Sequence, residues 1–550
     1  MFIPEEYFLP LALYAEIHFR FFRGMPSLLF RREPEILFDI PRRVASGENL
    51  PLILLLNDIH KYPVFPESVQ AAISQSSSKP KLFTFNELQK FRISHPLENQ
   101  MQAYSIPIPR SELPDGEIFL NARLDYRRIK KGKPKEPPLS ILNDNLPTST
   151  KLPYRCTVTN QKFPGSDFCT FGDVHCHSLF SRSHVEFGPP LEIIKKVAQA
   201  SGLRFVAITD HSYDLACSPD NFLKQDRNLR MWKLFKESMK RAMTNSEKTV
   251  LIQGEEISCL NDEKKVVHLC GLGVNEFIPG TLDGARPNTH FNTQPTIIEA
   301  IREIHRQGGV AFAAHPGARA GFTQQVFLKR GEWSEKDLFD DLDGIQAVNS
   351  GFLASWQRGK KLWITMLQRG LRVPLLAGSD AHGDFNRYRA VGKPFVQIHE
   401  GPERYMGFVR TGLYGRYSTQ EEILDAVRRC ATYVTSGPFA AINATGSKGD
   451  SLVSSKTVEM PRELYAVASS TEEFGQIEKV VVFCGRSGSV EERVVLSREC
   501  PEECYFFSER IGAELLPERC YLRMEVSGRT GRGIATKAAT SGCFVEKAGG

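Results

Sequence analysis

The sequence predicts a multi-domain protein with a central α/β unit, residues 168–440, between two β-rich flanks, 1–167 and 441–550. Three observations lead there. The chain has 550 residues, more than one hydrophobic core ordinarily serves. A strand-then-helix alternation runs through the middle, the grammar of parallel strands joined by crossover helices. On either side, short apolar runs broken by Pro, Ser, Asn and Gly replace it, with no sustained helical period.

In the first flank, PLILLLNDIH (51–60) reads as a strand, and GEIFLNARLDYRRIKKGKPKEPPLSIL as a hairpin or strand pair. Its basic turn (Arg127, Arg128, Lys130, Lys131, Lys133, Lys135) is expected to be a solvated loop, because no aromatic residue follows Tyr126 within it to stack on bases. The opening MFIPEEYFLPLALYAEIHFRFF carries Glu16, His18 and Arg20 and falls short of the ~20 apolar residues that cross a bilayer. It is expected to be a helix or strand packed on the body, with no secretory signal and no membrane partner.

The central series is explicit. DVHCHSLF, RFVAITDHS, TVLIQGEEIS, KVVHLCGLGV, VAFAAHPG, DGIQAVNSG and VPLLAGSDAH read as strands. PPLEIIKKVAQASG opens with Pro and closes with Gly, as helices do. DRNLRMWKLFKESMKRAM, TIIEAIREIHRQGG and ASWQRGKKLWITMLQRG have helical periods, and TQEEILDAVRRC with TYVTSGPF supply a closing helix and strand. The second flank holds ELYAVASS, IEKVVVFCG, ERVVLS, CYLRMEVSG and ATSGCFV, which predict a small β-sandwich. GRTGRG (528–533) lacks the Lys-Ser/Thr ending of a phosphate loop and is read as a hairpin turn.

Composition narrows the class. With 41% hydrophobic and 24% charged residues the chain is of the soluble globular type, and a net charge of +6 spread over both signs does not imply nucleic acid. The twelve cysteines all follow residue 155 and several sit in strand-like runs (Cys259, Cys270, Cys484), which fits buried thiols and a cytoplasmic location. Cys500 and Cys504 form a lone C-x3-C without a second pair, so no structural zinc is expected there.

The chemistry lies at strand ends. Residues i and i+2 of a strand face the same way, so His175 and His177 can chelate one ion together, as can Asp380 and His382 on the last strand. Closing the strands into a barrel would bring those pairs side by side, and ligands at strand C-terminal ends favour that form over an open sheet. Glu256 can bridge two cations, His268 and His315 would complete a second ion, and His211 lies on the same rim. His305 sits in a helical period and is expected at the surface, and His184 is close enough to neighbour the ligands.

These fragments resemble the PHP (polymerase and histidinol phosphatase) family of metal-dependent phosphoesterases. The matching phrases, in family order, are DVHCHS, Thr209–His211, Gly254–Ser258, His268–Leu272, Ala314–Pro316 and Ser379–His382. The resemblance covers about half the chain. It implies a distorted (β/α)7 barrel with two or three Zn, Mn or Fe ions held by His175, His177, His211, Glu256, His268, His315, Asp380 and His382. TYVTSGPF (432–439) resembles the barrel end of the subgroup that includes carbamate hydrolases, where β-domains flank the barrel. One departure stands out: where many relatives carry an Asp five residues after the second histidine, this chain has Arg182, which cannot bind a cation and is free to meet an anionic substrate.

The expected reaction is hydrolysis of a phosphate mono- or diester by a metal-bridging hydroxide. Glu256 and Asp380 serve the metals, Asp380 also accepts a proton, Asp210 orients a neighbouring ligand, and Arg182, Arg319 and Arg387 are candidates to clamp the anion. A small-molecule phosphate ester is the first expectation for the partner, and a nucleic-acid end the second. Two other readings stay open: a hydrolase of carboxylic or carbamic esters or amides on the same metals, and a scaffold that holds metal without turnover. Amidohydrolases also begin with His-x-His on a barrel strand, but they usually need a later bridging Lys and lack the terminal D-x-H pair.

Overall fold

The computed structural model describes residues 34–75, 78–145, 151–181, 188–244, 248–280, 295–320, 325, 329–383, 385–386, 390–393, 396–399, 405–446, 449–452, 458–459, 463–512, 514 and 516–546. The expectation for residues 1–33 therefore lies outside the described residues. Among those described, the protein is β-rich, with several sheets and few helices, and no helix is long and apolar enough to cross a membrane.

The N-terminal region stacks two sheets. Leu50–Asn57 is central to one of them, pairing antiparallel with Glu35–Asp39 and with Met101–Ile108. Every residue of LPLILLLN is buried, because both faces of the strand are covered. Leu50, Leu52, Leu54 and Leu56 point into the sandwich core, while Ile53 and Leu55 join a larger apolar cluster that includes Ile194 and Val197. The long strand Gly116–Lys130 organises the other sheet, and Leu139–Leu142 folds back on it, as its hairpin-like sequence predicts.

Seven strands build the centre: β1 (Cys169–Cys176), β2 (Phe205–Ile208), β3 (Val250–Leu260), β4 (Val266–Leu272), β5 (Val310–Ala313), β6 (Gly344–Asn349) and β7 (Leu375–Gly378). They are hydrogen-bonded in that order. Helices α1 (Leu191–Ser201), α2 (Arg230–Thr244), α3 (Ile297–Arg306) and α4 (Ala354–Gln368) lie between strands. Their ends follow the sequence: α1 starts after Pro190 and stops at Gly202, which takes φ 91°, and α3 begins with a reciprocal Thr296–Glu299 capping box.

Not all strands are parallel, which corrects the uniform βα expectation. β4 runs antiparallel to both β3 and β5. The cause is local: only residues 261–265 separate β3 from β4, too few for the crossover a parallel pair needs. The reversal matters for His268. It lies near the start of β4, yet pairs with Ser258 near the end of β3, so it reaches the same rim as side chains at the ends of the parallel strands.

Backbone bonds also join the two ends of the seven-strand run. Asp380 N–H donates to the His175 carbonyl at 2.9 Å, and His177 N–H to that of Ala381 at 2.9 Å. Gly378 permits the approach: a Cβ there would lie 2.6 Å from the His175 Cβ. On its other side, β1 pairs with β8 (Arg410–Tyr414), which pairs with β9 (Thr432–Thr435), which pairs with Ala535–Thr540. The C-terminal strands thus extend the central sheet past residue 440, and a second four-stranded sheet containing Phe439–Gly446 and Glu463–Ser469 packs beside them. GRTGRG falls at the turn between the antiparallel strands Arg519–Arg529 and Ala535–Thr540. All described cysteines are free, and all but Cys500 and Cys504 are buried.

Burial of His95 in the N-terminal region sets a pH dependence. It lowers the imidazole pKa from 6.5 to about 4. The unfolded chain therefore takes up this proton at higher pH than the folded protein, so stability is full above pH 6.5 and falls as pH drops toward 4. The loss is about 3 kcal/mol at ~1.4 kcal/mol per pH unit. Chemical denaturation of the wild type and His95→Gln across this range should show a flatter pH profile for the variant. Parallel profiles would remove this contribution.

Candidate metal centre

The rim where β1 and β7 meet gathers the eight residues that the sequence singled out as ligands. His175 is on β1 and His177 just beyond it, Asp380 and His382 follow β7, Glu256 is on β3 and His268 on β4, while His211 and His315 follow β2 and β5. Their donor atoms form three groups, each within 4.8 Å: His175, Glu256, His315 and Asp380; His211, Glu256 and His268; and His177, His211 and His382. These buried His/Asp/Glu groups could hold a metal ion.

Four donor atoms have the spacing a cation needs. The Nε2 atoms of His175 and His177 lie 3.1 Å apart. His175 Nε2 is 3.5 Å from Glu256 Oε2 and 3.4 Å from Asp380 Oδ1. His177 Nε2 is 3.4 Å and 3.1 Å from the same two oxygens. Donors placed ~2.0–2.1 Å from one central ion at tetrahedral angles would be about 3.3–3.4 Å from one another. The five separations cluster around that value.

Glu256 faces three further imidazoles with both oxygens. Oε1 is 2.5 Å from His268 Nδ1 and 3.0 Å from His315 Nε2, and Oε2 is 2.8 Å from His211 Nδ1. His211 and His382 meet through their Nε2 atoms at 3.3 Å, and the His382 ring stacks on His177 with centroids 4.0 Å apart.

Protonation suits cation binding. Burial opposes ionisation of Glu256, but His268, His211 and His175 hold its carboxyl well below the usual range. Asp380 is likewise held well below, against burial, by His175, His177 and His315. Burial pushes His177 well down, aided by His382 and His211, and lowers His211 to about 4 and His315 below its ordinary value. His175 is the exception. Burial disfavours its cation, but Cys270, Asp380 and Glu256 outweigh that and hold its pKa well above 6.5. A proton on His175 thus plays a cation's part between two buried carboxylates.

Other side chains orient these ligands, and sequence reasoning missed most of them. Gln346 Oε1 lies 2.8 Å from His175 Nδ1, which leaves Nε2 to face the cluster. Asn349 Nδ2 donates to Asp380 Oδ2 at 3.3 Å. Asp173 accepts the backbone N–H groups of His175 and Ser379, tying β1 to β7. Asp210 accepts from Ser178 and Ser181, and Ser181 Oγ lies 3.1 Å from His177 Nδ1. Gln346 and Asp173 had a signal: a polar residue inside an otherwise apolar strand needs a partner.

Two proposed ligands carry backbone strain. His315 takes φ 34° and Asp380 φ 54°, in the left-handed region. Such conformations in non-glycine residues cost about 1–3 kcal/mol each and persist where the surroundings impose them.

The arginines distribute differently. Arg182 and Arg387, with His184, lie outside the described residues. Arg319 is exposed beyond His315. Among the described residues, Arg330 touches the cluster, with its Nη1 2.6 Å from His268 Nε2. Its segment lies in no periodic run and carries no motif that would mark it. His305 is on α3 and pairs with Asp343.

No family model matches the chain, and no curated protein matches it. Among solved structures, a Parabacteroides merdae β-glucuronidase with glycerol in its active site aligns at 11% identity and a TM-score of 0.18, over 94% of this chain and 64% of that one. A second structure of that β-glucuronidase aligns at 10% identity and a TM-score of 0.18, over 94% of this chain and 66% of the other. The chain thus spans just under two thirds of those chains, and likeness at this score carries no argument.

Two variants test the centre. Glu256→Gln removes the charge that faces five imidazoles, and purified protein should lose most of its divalent metal by elemental analysis, while His305→Ala keeps it. Gln346→Leu should weaken metal binding by about 10-fold through its effect on His175. Unchanged metal content in Glu256→Gln would reject the assignment.

Proposed function

We propose that the protein is a metal-dependent phosphoesterase of the PHP type, acting on a phosphate mono- or diester at the β1–β7 rim. The observation that carries this reading is that the Nε2 atoms of His175 and His177 lie 3.1 Å from each other and 3.1–3.5 Å from both the Glu256 and the Asp380 carboxylate. Two or three divalent ions, Zn, Mn or Fe, are the proposed complement, since imidazole and carboxylate suit all three. A closed, distorted seven-stranded barrel is the proposed frame. Its support is the pair of hydrogen bonds between the His175–His177 and Asp380–Ala381 backbones.

When bound, such ions supply Lewis acidity and a water that ionises near neutral pH. The chain's own residues do the rest. Glu256 directs both carboxylate oxygens at histidines on different strands, so it can bridge two positions. Asp380 is largely buried, with 21% of its side chain still exposed, and is held ionised by the imidazoles around it, fitted to take a proton from an attacking water. Gln346, Asn349 and Ser181 hold ligand orientation, so little reorganisation is needed as charge develops. The proposed substrate is a small phosphate ester, with a nucleic-acid end as the second candidate.

Metal-loaded protein assayed against p-nitrophenyl phosphate, bis(p-nitrophenyl) phosphate and p-nitrophenyl carboxylic esters tests the reading. Turnover of a phosphate ester that is abolished by chelation and lost in His175→Ala is the expected result. Turnover of carboxylic esters alone would replace it with the carboxylic or carbamic hydrolase. A metal-loaded protein inert on every ester would leave the scaffold.

A further inference from the structure

Arg330 is half-buried against the second group of ligands, and its position is built in. The Val266 N–H donates to the Lys329 carbonyl at 2.9 Å, and the Gly331 N–H to the Val266 carbonyl at 2.8 Å. Residues 329–331 therefore run beside the start of β4, two residues before His268. Asn261 Nδ2 holds the Glu332 carbonyl at 3.1 Å. Gly331 is needed for the approach, since a Cβ there would lie 2.7 Å from the Lys265 Cβ and 3.1 Å from Asn261 Nδ2. From this anchored backbone the guanidinium reaches His268, with Nη1 2.6 Å from Nε2 and Nη2 3.2 Å from Nδ1.

A guanidinium only donates hydrogen bonds, and it does not lose its charge near neutral pH. On His268 it occupies a nitrogen lone pair, the same electrons that a metal ion requires. The Nδ1 edge of that imidazole also meets Glu256 Oε1 at 2.5 Å, so guanidinium and cation seek one cluster of negative charge. They cannot both be held on His268 without repulsion. Displaced by an ion, the guanidinium stays tethered within a side chain's length of the ligands. There it meets the anionic face of a bound substrate, and its planar fork matches two oxygens of a phosphate or carboxylate.

We propose that Arg330 is the anion-binding arginine of this site, and that it rests on His268 until a cation takes that imidazole. This rests on the metal-centre reading above and assigns to Arg330 the clamp that the sequence sought in Arg182, Arg319 and Arg387. Two readouts separate it from a plain support of His268. A support, once removed, loosens metal binding. A competitor, once removed, tightens it while weakening the anion.

Isothermal titration of the full chain with Mn2+, and of the Mn2+-loaded chain with inorganic phosphate, would be run on wild type, Arg330→Ala and Arg330→Lys. The expected result is Mn2+ affinity above wild type in Arg330→Ala, with phosphate affinity down by about 10-fold or more, as befits loss of a bidentate charged contact. Arg330→Lys, which keeps the charge and loses the fork, should fall between. Weaker Mn2+ binding with phosphate binding unchanged would overturn the proposal in favour of a supporting role. So would unchanged values for both ligands. If wild-type protein binds Mn2+ but no phosphate, the clamp is overturned while the metal centre stands. If it binds no Mn2+, the centre itself fails.

Discussion

Two ionised carboxylates buried among six imidazoles are the constraint on which the rest of the structure depends. Such groups are costly to bury unless a positive charge answers them. The chain answers in part with a proton on His175 and with Arg330 on His268. Much of the surrounding architecture keeps these donors in register. Asp173 ties the backbones of β1 and β7, Gly378 lets them touch, and Gln346 orients the His175 ring. The strained φ angles of His315 and Asp380 sit at the same rim, where neighbouring strands can impose them.

The flanks belong to this account through packing. Asp39 of the N-terminal region accepts the N–H of Phe385, three residues after His382. Asn386 donates to the Arg155 carbonyl of the same region at 2.5 Å. The segment that follows the last pair of ligands is therefore held by the first flank. One apolar cluster runs from Leu37 through Val206 to Val545, so the three regions share buried surface.

The cluster of eight residues was legible because most of its members follow an apolar run near a strand end, and two pairs have the i, i+2 spacing. Helices were equally plain where Pro190, Gly202 and the Thr296–Glu299 box mark their ends. Three features were hidden. The antiparallel course of β4 depends on a five-residue turn, 261–265, whose shortness is visible but whose consequence for His268 needs the sheet. β8 was not read at all, because VRTGLYG is short and rich in glycine. Arg330 comes from a stretch without period or motif, and only the pairing of Val266 with Arg330 brings it to the site.

A crystal grown with Mn2+, with data collected at a wavelength where manganese scatters anomalously, is the most direct test of whether these donors enclose a cation. The account predicts anomalous peaks at coordination distance from His175, His177, Glu256 and Asp380. Manganese bound elsewhere on the protein, with no peak among these four residues, would contradict it.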